Sequence, residues 1–274
     1  KGCPLRCLWC HNPESYTVTP EIMYHETLCV GCGRCVPACP EHCHTVTNKL
    51  HGFQRDACIS CGACVRICGG ALTLTGERTS VHQVLVRVER DEPFYRKTGG
   101  GVTLSGGEPL FQPDFMLELL KALKARRLHT CLETCGYSSF TLIKTAAEYV
   151  DLFLYDYKET DDGLHRKYTG VSNKRIISNL VQLDALGYGT ILRCPIIPGY
   201  NDRDDHFAGI AALANRLKNV REINVMPYHP LGESKRIQLD MPYLLANVPF
   251  PGKDESDGWV KAIQLLTDCS VKKG

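Results

Sequence analysis

The sequence predicts an α/β protein in which a small cysteine-rich segment precedes a parallel barrel or open sheet with helices. After residue 80, apolar segments of strand character alternate with segments of helical period, which is typical of βα units. Eleven of the sixteen cysteines fall in three clusters before residue 70, and polar residues follow the predicted strands. With 274 residues, 43% of them hydrophobic, the chain can bury one large core and a small appendage.

The region after residue 80 contains five predicted strands and five predicted helices. The strands, which we interpret as buried and parallel, are GVTLS (101–105), HTCLE (129–133), DLFLYD (151–156), TILRCPII (190–197) and EINVMPY (222–228). The helices, in which apolar residues recur every three or four positions, lie around 81–91, 113–127, 138–149, 174–187 and 204–218. Gly136, Gly187 and Gly199 separate these elements, and right-handed crossovers would join consecutive strands.

Charge and hydropathy exclude several classes of partner. The chain has 32 basic and 30 acidic residues, and its net charge of +2 offers no electrostatic footprint for nucleic acid or an anionic membrane. No run of about 18 apolar residues occurs, so we expect no membrane span. Clustered cysteines in a chain of this size favour metal or iron-sulfur ligation over disulfides, which indicates a reducing cytoplasm.

Two cysteine runs between residues 29 and 68 share one spacing. CVGCGRCVPACP matches the bacterial ferredoxin run C-x2-C-x2-C-x3-C-P, and its cysteines are Cys29, Cys32, Cys35 and Cys39. CISCGACVRIC repeats the spacing without the proline, and its cysteines are Cys58, Cys61, Cys64 and Cys68. In a two-cluster ferredoxin the fourth cysteine of each run crosses over, so Cys39 would join the second cluster and Cys68 the first.

Two alternatives to this ligand set are open. A pair of zinc knuckles would also use paired cysteines, but zinc requires no triplet of C-x2-C-x2-C steps. Cys43 lies just outside the first run and could replace Cys39 as a ligand, although the spacing favours Cys39. The sequence therefore predicts two 4Fe-4S clusters in this segment.

Polar residues follow the predicted strands at the same end. They are Ser105, Gly106, Gly107 and Glu108 after the first strand, Glu133 and Thr134 at the second, Asp156 and Lys158 at the third, Arg193 within the fourth and His229 after the last. In a parallel α/β barrel the catalytic groups converge at the carboxyl ends of the strands. One such residue is usually a cap or a salt bridge, but five strands together favour a site.

The opening stretch KGCPLRCLWCHN places Cys3, Cys7 and Cys10 on one short loop, with Trp9 before the third cysteine. This CxxxCxxC motif and SGGEP at 105–109 resemble the radical SAM enzymes, and within them the glycyl radical enzyme activating enzymes. The segments CLETCG, DYK, HRKYTGVSN, LRCPIIPGYND and MPYHPLG follow in the order typical of those activating enzymes. The resemblance therefore covers nearly the whole chain.

The resemblance implies a fold, namely a partial (β/α)6 radical SAM barrel with a small ferredoxin-like two-cluster insert. Residues 1–18 would form the cluster loop, 19–80 the insert and 81–274 the remainder of the barrel. The family begins with a strand and an arginine-bearing loop before the cysteine motif. Because this sequence contains neither, we expect the first barrel strand to be missing from it.

The resemblance also implies an activity. A 4Fe-4S cluster on Cys3, Cys7 and Cys10 leaves one iron open, which in the family chelates S-adenosylmethionine (SAM) through its amino and carboxylate groups. Reductive cleavage gives a 5'-deoxyadenosyl radical, which takes hydrogen from a backbone glycine of a separate glycyl radical enzyme. The expected cofactors are three 4Fe-4S clusters and SAM, and the expected electron donor of this anaerobic, cytoplasmic oxidoreductase is a flavodoxin or a ferredoxin-like protein.

Further residues take roles by the same resemblance. Gly106 and Gly107 would let the backbone approach the methionine amino group, and Glu108 completes that motif. A monovalent cation beside SAM would use Glu133, Thr134 and Asp156, although many relatives carry aspartate at the first position. Contacts to SAM are expected from Trp9, Cys10, His11, Tyr157, Lys158, Arg193 and His229, for which salt bridges, a core histidine or shielding of the cluster are structural alternatives.

Two other functions are open on the sequence alone. One is a radical SAM enzyme that modifies a small molecule or another peptide, and the other is a ferredoxin-type electron carrier fused to a barrel. The electron carrier would need neither the glycine pair nor the DYK carboxylate. The remaining cysteines, which share no ligand spacing and are interpreted as packing residues, are Cys43, Cys131, Cys135, Cys194 and Cys269.

Overall fold

The computed structural model describes residues 1–274, and its cysteine-rich first third contains only short elements. These elements are β1 (Glu21–Tyr24), α1 (Cys35–Ala38), β2 (His44–Thr47), β3 (Leu50–Phe53), α2 (Ala63–Ile67) and β4 (Leu72–Thr75). β1 pairs antiparallel with β4, and β2 forms a hairpin with β3. Asn48 and Lys49 join that hairpin at φ of 51° and 65°, which is the backbone of a type I′ turn.

The rest of the chain is built on an open sheet of six parallel strands. They are β5 (Gly101–Leu104), β6 (His129–Thr134), β7 (Leu152–Asp156), β8 (Thr190–Ile196), β9 (Val220–Pro227) and β10 (Val271–Lys273). Their order in the sheet follows the chain without interruption, from β5 to β10. Because crossovers between parallel strands are right-handed, sequential order puts the helices on one face and curls the sheet into a partial barrel.

Nine helices follow residue 80. They are α3 (Val81–Arg90), α4 (Glu92–Thr98), α5 (Pro113–Ala125), α6 (Phe140–Ala147), α7 (Asp162–Thr169), α8 (Lys174–Ala185), α9 (Asp204–Arg216), α10 (Gly232–Gln238) and α11 (Lys253–Gln264). Pro113 occupies the first turn of α5, where a backbone N–H would have no intrahelical acceptor and its absence costs nothing. Leu119, Leu120 and Leu123 are buried on one face of the same helix. No helix combines the length and apolar character that a membrane span requires.

The main core lies between the sheet and its helices. It contains 33 buried residues, among them Leu120, Leu132, Phe153, Leu192 and Ile223, none of which exposes more than 1% of its surface. Along β8, buried and half-buried residues alternate, because the inner face of the partial barrel lines a cavity. The predicted strands are therefore confirmed in position, but they are not buried on both faces.

Four helices and one strand lie outside the predicted elements. α4, α7, α10 and α11 are short or strongly polar, and β10 has only three residues, so none produces a long apolar pattern. α7 begins at Asp162 and covers the first residues of the stretch HRKYTGVSN, and α10 begins at Gly232, the last residue of MPYHPLG. Both of these helices contact the cysteine loop, so the missed elements bear directly on the site.

Candidate active site at the carboxyl ends of the strands

The cysteine loop is held against the end of α7 by its backbone. Arg6 N donates to the carbonyl of Thr169 at 2.7 Å, and Leu8 N donates to the carbonyl of Tyr168 at 3.0 Å. Leu5 is 1% exposed, and the ring of Trp9 lies 5.9 Å from that of Tyr168. Burial of these apolar side chains fixes the loop so that its three thiols line one cavity.

A second contact joins the loop to the glycine pair after β5. Glu108 N donates to the carbonyl of Gly2 at 2.8 Å, and a Cβ on Gly107 would lie 2.4 Å from that carbonyl oxygen. Gly106 has open space around it, but its φ of +136° is a conformation that disfavours other residues. The two glycines are thus required for different reasons, close approach at Gly107 and backbone conformation at Gly106.

Glu108 is a buried carboxylate whose oxygens are used inside the protein. Its Oε1 accepts from Thr134 Oγ1 at 2.7 Å and from Leu110 N at 3.2 Å, and its Oε2 accepts from Cys135 N at 2.8 Å. Burial raises the pKa of Glu108, and these hydrogen bonds oppose that rise. The side chain therefore ties the end of β5 to the end of β6 in the cavity wall.

Two ion pairs lie side by side on the inner face of β6, β7 and β8. Lys158 Nζ lies 2.8 Å from Asp156 Oδ2, and Arg193 Nη1 lies 3.2 Å from Glu133 Oε1. Asp156 and Arg193 are direct neighbours in the strand register, so the four charges alternate in sign. Burial lowers the pKa of Lys158, but Asp156 and Cys7 raise it and prevail, so the ammonium is charged.

The cavity brings together most of the predicted residues. Those that line it are Cys3, Cys7, Trp9, Cys10, His11, Gly106, Gly107, Glu108, Glu133, Thr134, Asp156, Lys158 and Arg193. Tyr157 does not line it, because residues alternate along an extended strand and its ring stacks on His206 behind the sheet. The ring of His229 packs edge-on against Phe250, and only its carbonyl reaches the loop, 2.9 Å from His11 Nε2.

The thiols of the loop have the donor chemistry of an iron-sulfur centre. Burial raises the pKa of the Cys3 thiol to about 11 and that of Cys7 to about 12, so thiolates here require a positive partner. A fourth thiol of the cavity, Cys135, directly follows β6 and is not part of the loop, and burial and the Glu108 carboxylate raise its pKa well above its usual value. Three thiols remain, which fits a cluster with one open iron.

Comparisons with known proteins agree with this geometry. Residues 64–210 match the radical SAM superfamily, and residues 21–69 match the 4Fe-4S dicluster domain. The choline trimethylamine-lyase activating enzyme of Oleidesulfovibrio alaskensis is 42% identical over 91% of this chain and 83% of its own. The trans-4-hydroxy-L-proline dehydratase activating enzyme of Clostridioides difficile is 37% identical over 100% of this chain and 91% of its own.

The chain belongs to the glycyl radical enzyme activating enzymes of the radical SAM superfamily. The fold agrees, because a domain of a pyruvate-formate lyase-activating enzyme from Bacteroides vulgatus superposes with a TM-score of 0.54 at 22% identity, covering 64% of this chain and 99% of that chain. The activating enzyme cleaves SAM reductively, and the resulting 5'-deoxyadenosyl radical takes hydrogen from a backbone glycine of a glycyl radical enzyme. Neither the small-molecule enzyme nor the pure electron carrier is favoured.

Several residues of the activating enzyme that support the site were missed in the sequence. Arg236 on α10 donates to the carbonyl of Cys7 at 3.0 Å, and a Cβ on Gly232 would lie 2.1 Å from the carbonyl of Cys10. Asn201 is fully buried and donates to the carbonyl of Lys158 at 2.9 Å. In the sequence, the only signals for these residues are the family segments that contain them, MPYHPLG for Gly232 and LRCPIIPGYND for Asn201. No sequence signal points to Arg236.

The insert of the activating enzyme contains two groups of thiols. One cavity is lined by Cys29, Cys32, Cys35 and Cys68, which we call the first thiol group. We call Cys39, Cys58, Cys61 and Cys64 the second thiol group. Burial, and then the nearby Cys58 and Cys39, raise the pKa of the Cys64 thiol to about 11. The fourth cysteine of each run thus lies with the other run, as the ferredoxin spacing predicts. Cys43 borders the second group, since its N–H donates to Cys39 Sγ at 3.3 Å.

Proposed function

We propose that this activating enzyme uses three 4Fe-4S clusters, one on the loop of Cys3, Cys7 and Cys10 and one on each thiol group of the insert. The loop cluster would supply the reducing electron and an open iron for SAM. The observation that supports this assignment most directly is the shared cavity of the three loop thiols, the glycine pair and the two ion pairs. Eleven cysteines, divided as three, four and four, would hold the three clusters.

The cavity residues would bind and orient SAM. Lys158 and Arg193 offer positive charges to the methionine carboxylate and the ribose, while the backbone at Gly106 and Gly107 faces the amino group. Trp9 and His11 would border the adenine, with His11 held in place by the carbonyl of His229. The proposal includes a monovalent cation near Glu133 and Asp156, with Thr134, because Glu133 Oε2 and Asp156 Oδ1 make no hydrogen bond within the chain.

We assign Tyr157 and the ring of His229 supporting roles in place of direct contact with SAM. The Tyr157 hydroxyl lies 3.1 Å from Thr160 Oγ1, on the far side of the sheet from the cavity. Its packing would hold the DYK segment so that Asp156 and Lys158 point inward. The His229 ring would support the loop through its packing on Phe250, while its carbonyl orients His11.

The protein substrate in this proposal is a glycyl radical lyase. Relatives that are 42% identical are named as activating enzymes of choline trimethylamine-lyase, isethionate sulfite-lyase and a sulfopropanediol sulfolyase. Dehydratase and decarboxylase activating enzymes are 35 to 37% identical, and one further isethionate sulfite-lyase activating enzyme is 37% identical. The lyase would present a flexible glycine-bearing loop at the open, carboxyl end of the strands.

Electrons would enter through the insert from a flavodoxin or a ferredoxin-like protein. Both thiol groups offer four cysteines, so neither leaves an open iron for chemistry, and an exposed cysteine in each run gives access from solution. We place the protein in the cytoplasm, because sixteen unpaired cysteines and three clusters require a reducing compartment without oxygen.

The test combines iron analysis with product analysis under argon. Wild-type protein should contain about twelve irons per chain, since each cluster of this type has four. The Cys3→Ala, Cys7→Ala, Cys10→Ala triple variant should lose one cluster and all formation of 5'-deoxyadenosine. The matched control is the Cys131→Ala, Cys194→Ala, Cys269→Ala triple variant, because these cysteines have no ligand role in this proposal. It should keep all three clusters and the formation of 5'-deoxyadenosine. Formation of 5'-deoxyadenosine by the loop variant would overturn the SAM assignment.

The glycine donor is tested with a labelled partner. Mixing the protein with SAM, reductant and a candidate lyase should give a carbon-centred doublet in the electron paramagnetic resonance spectrum. Deuterium placed on the lyase's glycine should appear in 5'-deoxyadenosine. If the protein activates a dehydratase but no enzyme of the trimethylamine-lyase or sulfite-lyase kind, the choice of partner is wrong. If label is transferred only from a small metabolite, the glycine is not the hydrogen donor.

A further inference from the structure

Two histidines of the β2–β3 hairpin lie side by side against the first thiol group. The hairpin register sets His44 opposite Phe53 and His51 opposite Val46, and His44 Nδ1 lies 3.0 Å from His51 Nε2. One nitrogen of each ring and the sulfur of Cys35 lie within 4.8 Å of one another. The pair is thus within reach of a cysteine of the first thiol group.

The two rings are fixed by aromatic packing. His44 is 2% exposed and stacks on Phe53, with ring centroids 4.8 Å apart and planes 14° apart. His51 packs against Tyr24 at a centroid distance of 4.4 Å, and it lines the cavity of the first thiol group. The rings are therefore unable to turn their nitrogens toward solvent without breaking these contacts.

The hydrogen-bond needs of the pair are incompletely met. Burial lowers the pKa of both rings, which favours neutral imidazoles with one N–H each, and the 3.0 Å separation of His44 Nδ1 and His51 Nε2 requires one of these nitrogens to donate and the other to accept. One N–H is shared between His44 Nδ1 and His51 Nε2. The other nitrogens, His44 Nε2 and His51 Nδ1, are buried and have no partner in the protein.

Either tautomer leaves one buried N–H without an acceptor. If His51 donates to His44, the unused N–H is on His44 Nε2, and if His44 donates, it is on His51 Nδ1. An unsatisfied buried donor costs about 1–3 kcal/mol, so a nearby acceptor is expected. The sulfur of Cys35, which lies within 4.8 Å of a nitrogen of each ring, could serve as that acceptor, and it would be a stronger one as a thiolate that binds iron.

We propose that the His44–His51 pair donates an N–H···S hydrogen bond to Cys35 and thereby raises the reduction potential of the cluster on the first thiol group. This inference rests on the proposed insert clusters. A hydrogen bond to a ligand sulfur stabilises the added negative charge of the reduced state, and such bonds are among the factors that set cluster potentials. His44 and His51 are positioning residues here, since neither binds the iron.

A raised reduction potential would help the cluster on the first thiol group to accept an electron from an external donor. Each thiol group has one exposed cysteine, Cys32 in the first and Cys61 in the second, but Arg55, three residues before Cys58 of the second group, donates to the carbonyl of Gln238 at the end of α10 at 2.6 Å. The second group is thus tied to the helix that supports the cysteine loop, and an electron from a reduced flavoprotein or ferredoxin would enter at the first group. The hydrogen bond makes acceptance of that electron more favourable without a change in the number of protons bound.

The experiment is a redox titration of the full protein, followed by electron paramagnetic resonance. In the His44→Phe, His51→Phe double variant, each position keeps a flat aromatic ring for packing, but the N–H donors are gone. The equilibrium constant for reduction of one insert cluster should fall about tenfold, which is 59 mV for a one-electron couple. His51→Gln, which keeps an N–H donor, should stay nearer to wild type, and the other two potentials should not move.

His25→Phe is the matched control, because His25 lies in the same insert, its ring lies 3.3 Å from Thr73 Oγ1, and it does not line the cavity of the first thiol group. If the double variant keeps its full iron content and its reduction potentials do not change, the proposed hydrogen bond is wrong, while the proposed insert clusters stand. Loss of four irons from His51→Gln would overturn the hydrogen bond in favour of a ligand role. A wild-type protein without insert clusters would overturn both the proposed function and this inference.

Discussion

Arg236 Nη2 donates a hydrogen bond to the carbonyl of Cys7 at 3.0 Å and lies 2.8 Å from the hydroxyl of Tyr16, which donates to the same carbonyl at 3.0 Å. The central cysteine of the loop is therefore held by two donors that also contact each other. Arg236 is 8% exposed, and its Nη1 donates to the carbonyl of Pro242 at 3.2 Å. One guanidinium thus fastens the cysteine loop to α10 and to the segment that follows it.

Arg236→Lys should destabilise the protein and its loop cluster. An ammonium is a single point of contact and cannot satisfy three acceptors that a guanidinium reaches in one plane. We expect the free energy of unfolding to fall by about 1–3 kcal/mol and the iron content to fall toward eight per chain. Anaerobic denaturant titration and iron analysis measure these changes. Arg166→Lys, on an exposed i,i+4 pair with Asp162, is the control, and an equal loss there would contradict the prediction.

Asn201→Ala should weaken SAM binding, although Asn201 does not line the cavity that would hold SAM. Asn201 Nδ2 donates to the carbonyls of Lys158 at 2.9 Å and Pro195 at 2.8 Å, and its Oδ1 accepts from Ile197 N at 2.7 Å. Without these bonds the chain around Lys158 loses its tie to the end of β8. We expect the dissociation constant for SAM to rise about tenfold, or 1.4 kcal/mol, by equilibrium dialysis.

The matched control for that variant is Asn215→Ala. Asn215 is exposed on α9 and donates to the carbonyl of Leu266, away from the cavity. Its substitution should leave SAM binding unchanged. An unchanged dissociation constant in Asn201→Ala, in a protein that retains all its iron, would show that Lys158 is positioned by other contacts.

The sequence predicted the strands well because their apolar segments face the main core. Leu132, Phe153 and Leu192 belong to β6, β7 and β8 and expose 1% of their surface or less. The family resemblance also placed Asp156 and Lys158 in the site, and both line the cavity because they are two residues apart and lie on one face of an extended chain. Their ion pair was only a structural alternative to contact with SAM. The same alternation, applied to Tyr157, would have excluded it from the cavity.

The support of the cysteine loop could not be predicted in the same way. α10 has the sequence GESKRIQ, whose polarity indicates a solvated surface helix, and Arg236 resembles any exposed charge in that pattern. Its burial depends on contacts with Cys7 and Tyr16, which lie 229 and 220 positions away in the sequence. Similarly, Cys135 shares no ligand spacing and its sequence context predicts a packing residue, but it lines the cavity, where its N–H donates to Glu108 Oε2 at 2.8 Å.

Acid should destabilise the protein through His206. This side chain is fully buried, and burial, followed by the charge of Arg203, lowers its pKa from 6.5 to about 3. Below pH 6.5 the unfolded chain binds a proton that the folded chain does not. The stabilisation is therefore complete above pH 6.5 and is lost as pH falls toward 3, by about 1.4 kcal/mol between pH 7.5 and 5.5.

His206→Asn tests this dependence, because the amide oxygen can replace Nδ1 as the acceptor for Thr160 N. Anaerobic urea titrations at pH 7.5 and 5.5 should show a pH-dependent loss that is smaller by about 1.4 kcal/mol in the variant. His82→Asn, at an exposed position of α3, should keep the full loss. Equal losses in wild type and His206→Asn would contradict the assignment.

Arg55 should matter for electron delivery and not for SAM chemistry. It precedes Cys58, and its guanidinium donates to the carbonyl of Ile22 at 2.5 Å and to the carbonyl of Gln238, at the end of α10, at 2.6 Å. Since α10 also contacts Cys7 and Cys10, Arg55 connects the insert to the helix that supports the loop. Removing that connection should increase the mean separation between the insert and the loop, and electron transfer slows with separation.

In Arg55→Ala, SAM cleavage driven by reduced flavodoxin should fall several-fold, while cleavage driven by a strong chemical reductant should stay near wild type. Cys32→Ala and Cys61→Ala should share this split, because they damage the electron route and leave the SAM cavity in place. Arg66→Ala is the control within the insert, since Arg66 is exposed and its side chain donates one long hydrogen bond, to the carbonyl of Cys61 at 3.4 Å. If both reductants lose effect together, or if SAM binding itself is lost, the insert supports the fold of the barrel and does not carry the electron.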